Sequence, residues 1–252
     1  MEQQIALPDQ KILGELAQLA AYFVRPLEFV HDDHLSMLPI HAAAIHRLNA
    51  LASFRGPLNR AASQALGFSK LSLSQGFAAR LHSEDDLKLA VTLLQSERPV
   101  ILALARSCAA VQLFPQIRLC VLKSQRNSME AILGTDEFIA AVREAPVFYP
   151  CLPERSASVQ LGRYLDHDDG AAEQDADEAE TRRESADIVH PIVWEGLGTL
   201  TAFIRRADTA CATLFSMLFP KAPANSGPAI VAMTDAQVRE LKILLNRRGL
   251  TW

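Results

Sequence analysis

The stretch FVHDDHL, Phe29 to Leu35, sets two histidines three positions apart around two aspartates. Residues at i and i+3 share one face of a helix, so a helical stretch would let His31 and His34 grip one metal ion, with Asp32 or Asp33 as a third ligand. His41 and His46 bring two further imidazoles close behind. A cluster from His31 to His46 is therefore the raw material of a metal-dependent hydrolase. The competing reading is a polar corner that follows Pro26, with His41 and His46 on the solvent side of an alanine-rich helix.

The known all-α route to such chemistry is the HD phosphohydrolase arrangement, in which a His-Asp doublet works with a histidine further upstream. Here His31-Asp32 has no histidine before it. Covalent chemistry has less support: there is no G-x-S-x-G elbow and no glycine-rich phosphate loop. GLGTL, Gly196 to Leu200, lies in an apolar helical stretch where small residues permit close helix packing. The acidic residues of 166–187 lack the alternating ligands and central glycine of an EF-hand loop. No assembled active site is expected.

Composition narrows the partners. A net charge of −4 leaves no excess of lysine and arginine to neutralise a phosphate backbone, so nucleic acid is not expected. Cys108, Cys120, Cys151 and Cys211 form no C-x-x-C pair and mostly sit in apolar runs, as free thiols do in a reducing cytosol. The start MEQQIALPDQ lacks a signal-peptide pattern, and no apolar run is read as reaching the ~20 residues that span a bilayer. A cytoplasmic protein without direct membrane insertion is expected.

The elements that must position these residues are helices. From Asp9, placed to cap, Ile12, Leu16, Leu19 and Phe23 recur at helical spacing until Arg25-Pro26. A second helix is expected from about His41 to Phe54, and Pro57 suits the first turn of a third that Gly67 ends. In SEDDLKLAVTLL, Ser83 is placed to cap a helix. The run at 99–114, PVILALARSCAAVQLF, carries one charge, Arg106, and suits the centre of a bundle, with a break at Pro115. Thr135 is placed to cap the next helix. Two more fill Ile188 to Phe219, and Thr234 with Gln237 announces a capping box before the last.

The expected fold is all-α: an irregular helical domain over 1–220 with an acidic insert at 166–187, then a linker and a C-terminal helix over 221–252. The insert carries ten acids against two arginines and no large apolar residue, so it is expected to stay solvated.

The block from Leu102 to Tyr149 resembles the SctK family (YscK, PscK, OrgA and MxiK), accessory proteins of bacterial type III secretion injectisomes. The resemblance runs through Ile117-Arg118, Cys120-Val121-Leu122, Ile132-Leu133 and Phe138-Ile139, in that order. An N-terminal pattern of Pro-x-x-aromatic-aliphatic-His-x-x-x-Leu is matched by Pro26, Phe29, Val30, His31 and Leu35, which leaves His34 outside it. The resemblance implies a non-catalytic adaptor without a cofactor. Its partners would be the pod protein SctQ and the cytosolic domain of the inner-membrane ring protein SctD, and through them SctL and the ATPase. It would then sit at the cytoplasmic face of the inner membrane, held by proteins. The metal-dependent hydrolase on the His31 to His46 cluster is the alternative.

Overall fold

The structure, a computed structural model, describes residues 10–156, Leu161, 189–222 and 232–252. The acidic insert at 166–187, nearly all of the expected linker and the expected cap Asp9 lie outside the described residues. The fold is all-α, and no strand occurs among the described residues. In chain order the helices are α1 Gln10–Val24, α2 Asp32–Leu35, α3 Ala42–Asn49, α4 Ala52–Ala65, α5 Phe77–Ser83, α6 Asp85–Gln95, α7 Arg98–Ile117, α8 Lys123–Leu133, α9 Thr135–Arg143, α10 Ala145–Phe148, α11 Pro191–Ala207, α12 Thr209–Met217 and α13 Asp235–Arg247. Short 3-10 turns lie at Pro26–Glu28, Phe68–Lys70 and Leu152–Ser156.

The helices form two compact units, each built from two stretches of chain. The first takes the residues up to Ser96 and Ile204–Lys221. Its core holds Leu19, Leu35, Ile45, Leu81, Leu87, Leu93, Leu94, Phe215 and Phe219, all buried. Polar ties add direction to that apolar packing: the Tyr22 hydroxyl donates to the Leu94 carbonyl at 2.7 Å. Arg80 makes a two-pronged pair with Glu84, at 2.9 Å on both sides, and also donates to the Ala207 carbonyl at the end of α11. Asp208 then opens α12 by accepting from the Cys211 amide at 3.0 Å. Such a cap contributes about 1 kcal/mol.

The second unit takes Glu97–Phe203 and Ala222–Thr251. Its α7 shows an exposed stripe, Pro99, Val100, Ala103 and Arg106, at helical spacing, and buries the opposite side. By length and composition α7 could cross a membrane, with a mean hydropathy of 1.5 over an 18-residue window, but 61% of that window is buried inside the protein. Gly196 of α11 passes so close to α7 that an added Cβ would lie 1.8 Å from the Ala105 carbonyl oxygen. The small-residue reading of GLGTL is thereby made specific. The last helix, α13, belongs to this unit and buries Val238, Leu241, Leu244 and Leu245. Its capping box is as expected. Further along, the Glu240 carboxylate accepts from the Cys151 amide (2.9 Å) and the Leu152 amide (2.9 Å), while Gln237 donates to the Cys151 carbonyl.

Five local expectations are corrected. The run His41 to Phe54 is two helices, because Asn49 is held at a turn by Asn59, whose amide donates to its side chain, and by Arg55, which donates to its carbonyl. Pro57 therefore sits inside α4, five residues past its start. Ser83 ends α5, its hydroxyl donating back to the Ala79 carbonyl, and the extended Glu84 is the N-cap of α6. Thr135 is the first residue of α9, behind a Gly134 cap at φ 98°, a conformation glycine tolerates and threonine does not. Pro115 does not break the apolar helix. It faces solvent in the last turn of α7, where one lost hydrogen bond is outweighed by burial of Leu113 and Ile117 on either side.

Candidate functional site

The residues of FVHDDHL meet in the first unit, and their partners come from distant sequence. Pro26 opens a turn whose Leu27 amide donates to Asn59 Oδ1 at 3.2 Å. Asn59 is 4% exposed, and its amide group also donates to the Arg55 carbonyl at 2.8 Å, so a buried polar side chain is satisfied while it fixes the turn. Phe29 lies against Tyr22 with ring centroids 4.3 Å apart, and Val30 and Leu35 are buried. The patterned apolar positions are core contacts.

The polar residues are used just as locally. The His31 amide donates to the Met217 carbonyl at 2.8 Å, and its Nδ1 accepts from the Asp33 amide at 3.2 Å. His31 is therefore the N-cap of α2, in extended conformation at φ −65° and ψ 144°. A residue outside the helix does not share a helical face with His34, so the i, i+3 geometry a metal pair needs is not formed. His34 donates from Nε2 to the Phe219 carbonyl at 3.0 Å. Asp33 accepts from the Lys221 amide at 3.1 Å, and Asp32 pairs with His46 at 2.7 Å. His41 caps α3 by accepting from the Ala43 amide. Among the described residues no three His, Cys, Asp or Glu side chains group as a metal ion would need.

Burial holds His34 below the ordinary imidazole value of 6.5, partly opposed by its bond to Phe219; Lys221 and His31 push the same way as burial and Asp33 pushes back. The sign follows. As pH falls below 6.5 the unfolded chain takes up a proton before the folded one, so this part of the stability is present above that value and lost below it. His34→Ala removes one hydrogen bond, about 1 kcal/mol, and is expected to lower Tm by about 2–4 °C at neutral pH. The loss should shrink as the buffer is taken from pH 7 to pH 5, which thermal melts across that range will measure. His34 lies outside the N-terminal pattern, yet it holds the chain at Phe219.

In the second unit, Ile117 and Arg118 stand at the end of α7. Ile117 is buried in a cluster with Leu113, Cys120, Met129, Leu133 and Ala141, whereas Arg118 is exposed. Both line a groove of about 380 Å³. α8 adds Arg126, and α9 adds Phe138, Ile139, Val142 and Arg143. Arg126 is steadied by donating to the Cys120 carbonyl at 3.0 Å. Arg118, Arg126 and Arg143 form no ion pair with a described residue. Beside the groove the turn into α8 leaves Leu119, Val121 and Leu122 exposed at 76%, 80% and 61%. Sequence reasoning found Ile117-Arg118 through the resemblance and missed Arg126 and Arg143, which are ordinary helix-surface cations until the fold converges them.

Nucleophilic chemistry finds no support in the thiols. Burial pushes Cys108 and Cys211 up to about 12, so both are protonated at neutral pH. Set against known proteins, the chain matches no protein family, no curated protein and no solved structure.

Proposed function

We propose that the chain is a non-catalytic adaptor of the SctK kind, joining the inner-membrane ring protein SctD to the pod protein SctQ in a type III secretion sorting platform. The observation that carries this reading is the use made of the patterned residues. Pro26, Phe29, Val30, His31 and Leu35 each build the corner itself, through a turn, a ring contact, burial or a cap, and the polar residues between them bond to Phe219, Lys221 and His46. A motif spent on its own scaffold suits a protein whose task is to present surfaces.

An adaptor has no turnover, so its loss should sever a connection and leave both sides standing. Deleting the gene is expected to abolish type III export while the membrane rings still assemble, and to turn foci of fluorescent pod protein into diffuse cytosolic signal. Persistent foci in the deletion strain would remove the chain from this role. Stoichiometric zinc, manganese or iron in purified protein, together with a hydrolase activity lost in His31→Ala, would replace the adaptor with the metal-dependent alternative.

A further inference from the structure

We propose that the groove lined by α7, α8 and α9 docks an acidic amphipathic helix of a partner protein. Arg118, Arg126 and Arg143 converge on one side chain-lined hollow, and no described carboxylate pairs with any of them. In a chain of net charge −4 this is a local cationic feature, not a general one. Guanidinium groups in such an arrangement favour carboxylates, which they can bind in two-pronged fashion.

The floor selects further. Phe138, Ile139 and Val142 are apolar, Ile139 is 40% exposed and Val142 39%, and Leu119, next in sequence to Arg118, is exposed as well. A phosphate or polyphosphate has nothing to bury there, whereas a peptide with aliphatic side chains gains from every apolar contact. The groove is lined by helices, and no strand edge exists among the described residues for a peptide to pair with. The occupant must therefore satisfy its own backbone, which a helix does. The chain's acidic stretch at 166–187 matches the arginines but has no large apolar residue for the floor, so a partner segment is the better fit. The inference stands on the groove's own chemistry and does not rest on the secretion role.

The test uses the full chain and a phage-displayed library of random peptides about 16 residues long, roughly four helical turns. Selected sequences are expected to carry leucine, isoleucine or phenylalanine at i, i+3 and i+4 beside aspartate and glutamate. Synthetic copies should bind about tenfold or more weakly to Arg118→Glu/Arg143→Glu, as expected for two lost charge pairs and two new repulsions. Both positions are exposed, so the variant should melt like wild type. Ile139→Asp should weaken binding too, and peptides with their acids changed to lysine should regain binding to the doubly reversed variant. Failure to select any peptide, selection without acidic enrichment, or binding indifferent to the arginines would overturn the proposal. So would binding that tightens about tenfold or more when 166–187 is replaced by a Gly/Ser linker, since the chain itself would then be the occupant.

Discussion

Leu104→Asp is expected to unfold the second unit or leave the protein insoluble. Leu104 lies on the buried side of α7 at 4% exposure, and removing it forfeits about 2 kcal/mol of apolar burial. The larger cost comes from the carboxylate, which is left in an apolar interior without a designed partner and adds several kcal/mol. Against a total stability of about 5–15 kcal/mol, the sum removes most of the fold. Ala103 is the control: it is the adjacent residue on the exposed stripe, and Ala103→Asp should remain soluble and melt close to wild type. Circular dichroism and the soluble fraction decide the matter. A folded Leu104→Asp beside a damaged Ala103→Asp would mean that α7 is rotated from the orientation described.

Gly196→Ala is the second large effect, and it adds only one methyl group. That carbon would have to lie 1.8 Å from the Ala105 oxygen, with the Ala105 carbonyl carbon at 2.6 Å. Both obstacles are backbone, so no rotamer change makes room and the two helices must part. Overpacking of this kind costs about 1–3 kcal/mol and more where the backbone is fixed. A fall in Tm of about 6–12 °C is expected for a cost near 3 kcal/mol. Gly14→Ala provides the opposite case: it sits within α1 with nothing within 4 Å of the added carbon, and should be neutral or stabilising by about 0.5–1 kcal/mol through helix propensity. Equal melting of the two variants would contradict the packing at Ala105.

These two sites show where the sequence is legible and where it stops. The helical class is readable because period and caps are local: Thr234 and Gln237 lie three residues apart and specify the α13 cap without help. Gly67 ends α4 at φ 74° for the same reason. Pro115 misleads because its local preference is overruled by the burial of Leu113 and Ile117, which depends on residues far along the chain. The histidine corner is legible as a corner, but its partners Met217 and Phe219 lie about 185 residues on, and nothing in FVHDDHL names them. Arg126 and Arg143 are likewise unremarkable on their own helices, and only the approach of α8 and α9 to the end of α7 makes a groove of them.

The division of the chain between the two units also governs how the protein can be made. The first unit needs Ile204–Lys221 as well as the residues up to Ser96, and the second needs the stretch from Ala222 to Thr251 as well as Glu97–Phe203. During synthesis at about 5–20 residues per second, the first unit waits roughly 6–25 s for its closing segment, and α6 lacks its neighbour α12 throughout that interval. Neither unit corresponds to a contiguous fragment that a simple truncation can deliver. A chain cut after Ser96 leaves its helices without α12, and one cut after Phe203 deprives Cys151 and Leu152 of the Glu240 carboxylate. Nascent chains that have not yet reached Lys221 are accordingly the aggregation-exposed form of this protein, and the ones a chaperone would have to shield.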